Sequence, residues 1–144
     1  MDIINEMKLT MDSRSINEGF SRVAVSSFIA STDPNIEELT DIKTAVSEAV
    51  TNAIVHGYKE KNGKIYITVS IFENNTIRIK IRDKGVGITD IEKAMEPLFT
   101  TAGEERAGLG FAVMESFMDK VRVASRPDMG TTVTMEKKIW GKKL

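Results

Sequence analysis

The chain has no cysteine and a single histidine, His56, in 144 residues. Disulfide frameworks, thiolate metal sites and cysteine nucleophiles are therefore excluded, as are zinc sites built from several histidines. No apolar run approaches the roughly 20 residues that cross a bilayer as a helix. The first nine residues carry Asp2, Glu6 and Lys8 and lack the apolar stretch of a signal peptide. An excess of either charge is missing too: 20 basic against 21 acidic residues leave a formal net charge of −1. That balance argues against a protein that grips nucleic acid by neutralising phosphates. With 41% hydrophobic residues, the chain is expected to form one soluble cytoplasmic domain spanning residues 1–144, with no membrane or direct nucleic-acid partner.

No linker, repeat or low-complexity stretch divides the chain. Met7, Leu9 and Met11 alternate with Lys8 and Thr10, predicting a first strand. Ser13 or Ser15 can cap a helix whose apolar positions include Ile16, Phe20, Val23 and Phe28, and Asp33-Pro34-Asn35 breaks it. Asn35 followed by Glu38 has the form of a capping box. It opens a second helix reading Ile36, Leu39, Ile42, Val46, Val50, Ala53 and Ile54, which ends near Gly57. Ile65, Ile67, Val69 and Ile71, then Ile77, Ile79 and Ile81, alternate with polar residues on either side of Glu73-Asn74-Asn75, which predicts a hairpin. A second hairpin pairs Val121 and Val123 with Val133 and Met135 through Pro127-Asp128-Met129-Gly130, and a short helix runs from Phe111 to Met118. The order implies an α+β fold: a two-layer sandwich, its mainly antiparallel sheet covered on one face by helices. The tail from Lys137 to Lys143 reads as a frayed, basic, solvated end, and the eight methionines as gap-filling core residues.

Chemistry has two candidate seats. Glu48 and Asn52 stand four residues apart on the second helix and so share one face. At 100° per residue, Val46, Val50 and Ala53 lie roughly opposite, so this pair is expected to project away from the core. The other seat holds five of the ten glycines, between Gly85 and Gly110. Asp83-Lys84-Gly85-Val86-Gly87 follows the end of a strand, and Gly108-Leu109-Gly110 leads into a helix whose first amides suit phosphate. Neither the P-loop nor the dinucleotide fingerprint is present: Leu109 stands where a P-loop would have lysine, and Asp90 and Val113 occupy the places of a third glycine.

Four blocks in order resemble the ATP-binding fold of gyrase, Hsp90, histidine kinases and MutL, the Bergerat or GHKL fold. They are Glu48-Ala49-Val50-Thr51-Asn52-Ala53, the segment from Asp83 to Gly87, the segment from Gly108 to Phe111, and Gly130-Thr131-Thr132. Within that superfamily the chain resembles the small anti-sigma serine kinases, through the stretch from Ser47 to Tyr58 and through Pro97-Leu98-Phe99-Thr100-Thr101. The resemblance implies ATP or ADP as the nucleotide and Mg²⁺ held by Asn52. It implies that Asp83 receives the adenine amino group, that Thr131 completes the adenine contacts, and that Gly85 and Gly87 allow close approach. Residues 100–110 would form a lid, with Thr100, Thr101, Gly108, Leu109, Gly110 and Phe111 near the phosphates and Arg106 meeting γ-phosphate charge. Glu48 would be the general base for a serine hydroxyl.

The same resemblance implies two protein partners: sporulation sigma factor F, held inactive, and an anti-anti-sigma protein phosphorylated on serine. It also implies a homodimer, with Arg22 docking a partner. Two other readings keep the same site. One is a nucleotide-sensing module that binds sigma without transferring phosphate; the other is a serine kinase of a stress sigma network.

Overall fold

The computed structural model describes residues 1–88, 90 and 110–141. Strand β1 (Ile3–Asp12) is followed by helix α1 (Ile16–Ile29), a short 3₁₀ turn (Ala30–Thr32) and helix α2 (Ile36–Asn52). Strands β2 (Lys64–Phe72) and β3 (Thr76–Asp83), helix α3 (Phe111–Phe117), and strands β4 (Lys120–Arg126) and β5 (Gly130–Lys138) complete the order. The sheet runs β1-β2-β3-β5-β4, every neighbouring pair antiparallel. Period-two alternation sends Ile65, Ile67, Val69, Ile77, Ile79, Ile81, Val133 and Met135 to one face, where all are buried. Against them pack Ile42, Val46 and Val50 of α2, Val25 and Ile29 of α1, and Phe111 and Met114 of α3. The α+β sandwich read from the pattern is the fold.

Helix α2 starts where its sequence says it should. Asn35 Oδ1 accepts from the Glu38 amide at 2.8 Å, and Glu38 Oε1 accepts from the Asn35 amide at 2.9 Å. Burial of Glu38 has a second cause. Its carboxylate also accepts from the amides of Trp140 (2.8 Å) and Gly141 (3.2 Å), while Asn35 Nδ2 donates to the Gly141 carbonyl. As far as Gly141 the tail is thus clipped to the first turn of α2, not frayed as its charge suggests; Lys142 and Lys143 fall outside the described residues. Ile139 is buried beneath the clip, its amide bound to the Asn75 carbonyl. The Lys137 ammonium donates to the Phe117 carbonyl at 2.7 Å.

Three further expectations are corrected. Neither serine caps α1 through its side chain: Ser15 takes a helical conformation at the cap, and Ser13 hydrogen-bonds to the Lys61 and Gly63 carbonyls instead. The apolar positions of α1 form two stripes. Ser21, Val25 and Ile29 face the core, whereas Ile16, Phe20 and Val23 are 76%, 53% and 62% exposed. The methionines divide as well: Met11, Met114, Met118 and Met135 are buried, while Met1 and Met129 lie in solvent.

Replacing Glu38 with alanine removes half of the capping box and leaves the Trp140 and Gly141 amides without their acceptor. Urea unfolding is expected to show a loss of about 2 kcal/mol, with Asn35→Ala losing about 1 kcal/mol.

Candidate nucleotide site

Past Asn52, helix α2 widens into one π turn, Ala53–Gly57, in which the Tyr58 amide reaches back five residues to the Ala53 carbonyl. Such turns insert an extra residue into the helix and recur at functional sites. Here the turn sets Gly57 against the end of β3. A Cβ on Gly57 would stand 2.8 Å from Asp83 Cγ, and one on Gly85 would stand 2.0 Å from the Gly57 carbonyl oxygen. Only hydrogen at both positions allows this approach, and the Val86 amide seals it by donating to the Gly57 carbonyl at 2.8 Å. Tyr58 clamps the same loop. Its hydroxyl accepts from the Lys84 amide at 2.8 Å and donates to the Lys64 carbonyl at 2.5 Å.

The result is a buried carboxylate. Asp83 is 6% exposed, and burial pushes its pKa up, while the Gly85 and Thr131 amides hydrogen-bond it and pull it partly back. The Gly85 contact measures 2.9 Å. Thr131, opposite Asp83 in the β3–β5 register, is also buried. Its hydroxyl lies 2.8 Å from Ser125 Oγ, which accepts from the Ile88 amide at 2.8 Å. A chain of polar contacts therefore fixes the floor of the site across β3, β5 and β4.

One cavity brings Asn52, Asp83, Gly87, Phe111 and Thr131 together. Asn52 is 7% exposed, which corrects the expectation that it points away from the core. The helical wheel places Asn52 away from Val46 and Val50 correctly. What it omits is that β3, β5 and α3 close over this edge of α2. Glu48, one turn earlier, is half-buried, and burial raises its pKa. It borders the start of α3: Gly110 has φ +61°, and a Cβ there would meet Glu48 Oε2 at 2.2 Å. Gly85 supports the cavity from behind without lining it. Arg22 lies apart on the exposed side of α1, paired with Glu18 at 2.6 Å. Thr100, Thr101, Arg106, Gly108 and Leu109 fall outside the described residues.

Sequence reasoning assigned Gly57 and Tyr58 no role in the site, did not single out Ser125, and set His56 aside as a surface or helix-end residue. His56 in fact lines the cavity. Gly57 carried a legible signal, a glycine just past a polar helix pair, whereas Ser125 had none, because its role depends on strand register.

Among the described residues no group of three or more histidine, aspartate or glutamate side chains forms a metal site. A divalent cation fits this donor set only in company with phosphates. Mg²⁺ commonly takes one or two protein oxygens and completes its octahedron with phosphate and water. The amide oxygen of Asn52, a hard ligand, is chemically suited to that role.

A sandwich with a buried aspartate at a strand end, glycine-built loops and an Asn-bearing helix defines a nucleotide-binding domain of the histidine kinase-like class. The family of the histidine kinase-like ATPase domain matches residues 14–137. Solved structures agree on the fold. The RsbU and RsbW domains of a Mycobacterium tuberculosis protein superpose with a TM-score of 0.68 at 19% identity, over 94% of this chain and 32% of that one. The catalytic domain of the histidine kinase ThkA superposes with a TM-score of 0.58 at 20% identity, over 94% and 97%. Among curated relatives, the anti-sigma F factors of Bacillus velezensis and Bacillus subtilis are each 56% identical over 135 residues, 92% of either chain. That of Clostridium perfringens is 54% identical over 136 residues, 94% of this chain and 97% of its own. The chain belongs to the anti-sigma F factor family.

Asp83 provides a test with a defined sign. Because its folded pKa lies above the ordinary value of 3.8, ionising it opposes folding, and its contribution to stability falls as pH rises from that value through the raised one. In Asp83→Asn the amide oxygen still accepts from Gly85 and Thr131. Urea unfolding at pH 7 is expected to show stability at or above that of the parent, with this part of the pH slope gone. Calorimetric titration is expected to show nucleotide affinity reduced by roughly tenfold or more.

Proposed function

We propose that this protein is an anti-sigma factor that holds sporulation sigma factor F inactive and transfers the γ-phosphoryl group of Mg-ATP to a serine of an anti-anti-sigma protein. Glu48 carries the reading: a half-buried carboxylate of raised pKa, one turn before Asn52 and against Gly110, the residue that leads into α3.

Phosphoryl transfer asks the protein mainly to position groups and balance charge. Asp83 lines the cavity and accepts the hydrogen bond of the adenine amino group, with Thr131 beside it. Asn52 would hold Mg²⁺ through its amide oxygen, an ion that would supply charge neutralisation at the phosphates. Glu48 orients the serine hydroxyl and takes its proton as the oxygen–phosphorus bond forms and the bond to the ADP oxygen breaks. A raised pKa makes Glu48 a better proton acceptor than a solvated glutamate. Arg106, in the proposed lid with Thr100, Thr101, Gly108 and Leu109, meets the developing charge. The cytoplasm is where such partners are met.

The homodimer rests on the outer stripe of α1 and on β1. Ile16, Phe20 and Val23 are exposed together on one helix, and β1 is an edge strand with Ile3 and Ile4 uncovered. A second copy covers this apolar surface, and Arg22, next in sequence to Val23, lies at its margin for partner docking.

Glu48→Gln is expected to lower serine phosphorylation by 10²–10⁴-fold with Mg-ATP affinity within about threefold, read by labelled-phosphate transfer and calorimetry. The variant's midpoint in urea is expected to rise, since a desolvated charge is removed. Ordinary transfer by Glu48→Gln overturns the assignment. Phe20→Glu is expected to convert a dimer to a monomer in light scattering while ATP binding persists; an unchanged mass overturns the α1 interface.

A further inference from the structure

The uncovered face of the sheet concentrates charge that the net balance hides. Its register lines up Lys8, Thr68, Lys80, Thr134 and Arg122 in a single row across all five strands. Lys8, Lys80 and Arg122 are all exposed. The neighbouring row, Thr10, Tyr66, Arg82, Thr132 and Ala124, adds a further exposed cation and no acid. Carboxylates on this face stand in flanking rows and are engaged: Glu6 accepts from Ser70, Asp12 pairs with Lys64, and Glu136 lies 3.5 Å from Arg122. A shallow trough between Arg78, Lys80, Arg122 and Thr134 follows the row, and the buried Arg78 Nε there has no hydrogen-bond acceptor among the described residues.

We infer that this face docks an acidic helix of a partner protein, separately from the nucleotide cavity on the opposite side of the sheet. Lys8, Lys80 and Arg122 sit two strands apart, about 10 Å at each step. Residues i, i+7 and i+14 of an α-helix stand on one face about 10.5 Å apart. Carboxylates at that spacing meet Lys8 and Lys80 directly and Arg122 in competition with its pairing to Glu136, with threonine hydroxyls between them. The same face of a second copy is disfavoured by like charge. Stacked bases are disfavoured because both aromatic rings on the face are already covered, Tyr66 by Lys84 at 5.0 Å and Phe72 by Arg78 at 4.8 Å. No large apolar side chain is exposed in the row to enter a lipid surface.

The test is fluorescence anisotropy with a labelled helical peptide bearing glutamates at i, i+7 and i+14. A peptide of the same composition with glutamates five apart, an oligo-dT and phosphatidylglycerol vesicles serve as competitors. The spaced peptide is expected to bind at least tenfold more tightly than the respaced one. Lys80→Glu with Arg122→Glu is expected to abolish that preference, and the corresponding glutamine pair to weaken it, with ATP affinity unchanged in both. Lys59→Glu with Lys61→Glu, off this face, is expected to leave binding unaltered. Equal affinity for the two peptides, no loss in the glutamate variant, stronger competition by oligo-dT or vesicles, or no binding at all overturns the proposal.

Discussion

A carboxylate kept out of water at the end of a strand is the constraint around which the site is arranged. Asp83 sits beneath Gly57, and its desolvation is offset only in part by the Gly85 and Thr131 amides. Satisfying it requires three elements at once: a helix end widened by one π turn, a loop that folds back with no side chain at Gly85, and a strand, β5, that delivers Thr131 in register. The Gly85 bond is local, two residues on, but Gly57 and Thr131 come from distant parts of the chain. The surrounding apolar core holds them, because Ile77, Ile79 and Ile81 anchor β3 while Ala49 and Ala53 bring α2 down onto it. Core packing thus serves to keep one charged group where water cannot compete for it.

Stability and chemistry pull against each other along α2. Residues that face the sheet obey the helical pattern, whereas Glu48 and Asn52 spend burial on polar groups. Burial raises the pKa of Glu48, and that same desolvation suits the carboxylate to the base role proposed for it. Glu38, at the other end of the helix, shows the contrasting design. It too is buried, but the backbone amides of Asn35, Trp140 and Gly141 all donate to its carboxylate, absorbing its charge and binding the tail to the helix start.

The fold was legible in the sequence because it rests on periodicity. Alternation in β2 and β3, the capping box at Asn35 and Glu38, and the Pro127–Gly130 turn each reflect a local rule, and each appears where the rule puts it. The site was half legible. Asn52, Asp83, Gly87, Phe111 and Thr131 meet in one cavity as their motifs suggest. A helical wheel, however, describes one helix in isolation, so it left Asn52 facing solvent and turned Phe20 inward. The parts played by Ser125 and Tyr58 escaped notice because hydroxyls acquire meaning only from the strand register and loop contacts that surround them. The clipped tail was missed for a related reason: a lysine-rich composition signals solvation, and the single buried Ile139 outweighs it.

Strand β5 is last in chain order among the described strands yet lies inside the sheet, between β3 and β4. Until it inserts, β3 presents an open edge, and Asp83 lacks its Thr131 partner. The cavity is therefore a property of the finished sheet, with no partial version on any earlier hairpin. Nucleotide affinity consequently counts completed molecules, and a cell rich in ATP draws late folding intermediates forward by mass action. Any regulatory decision that depends on nucleotide is by construction reserved to chains whose assembly is complete.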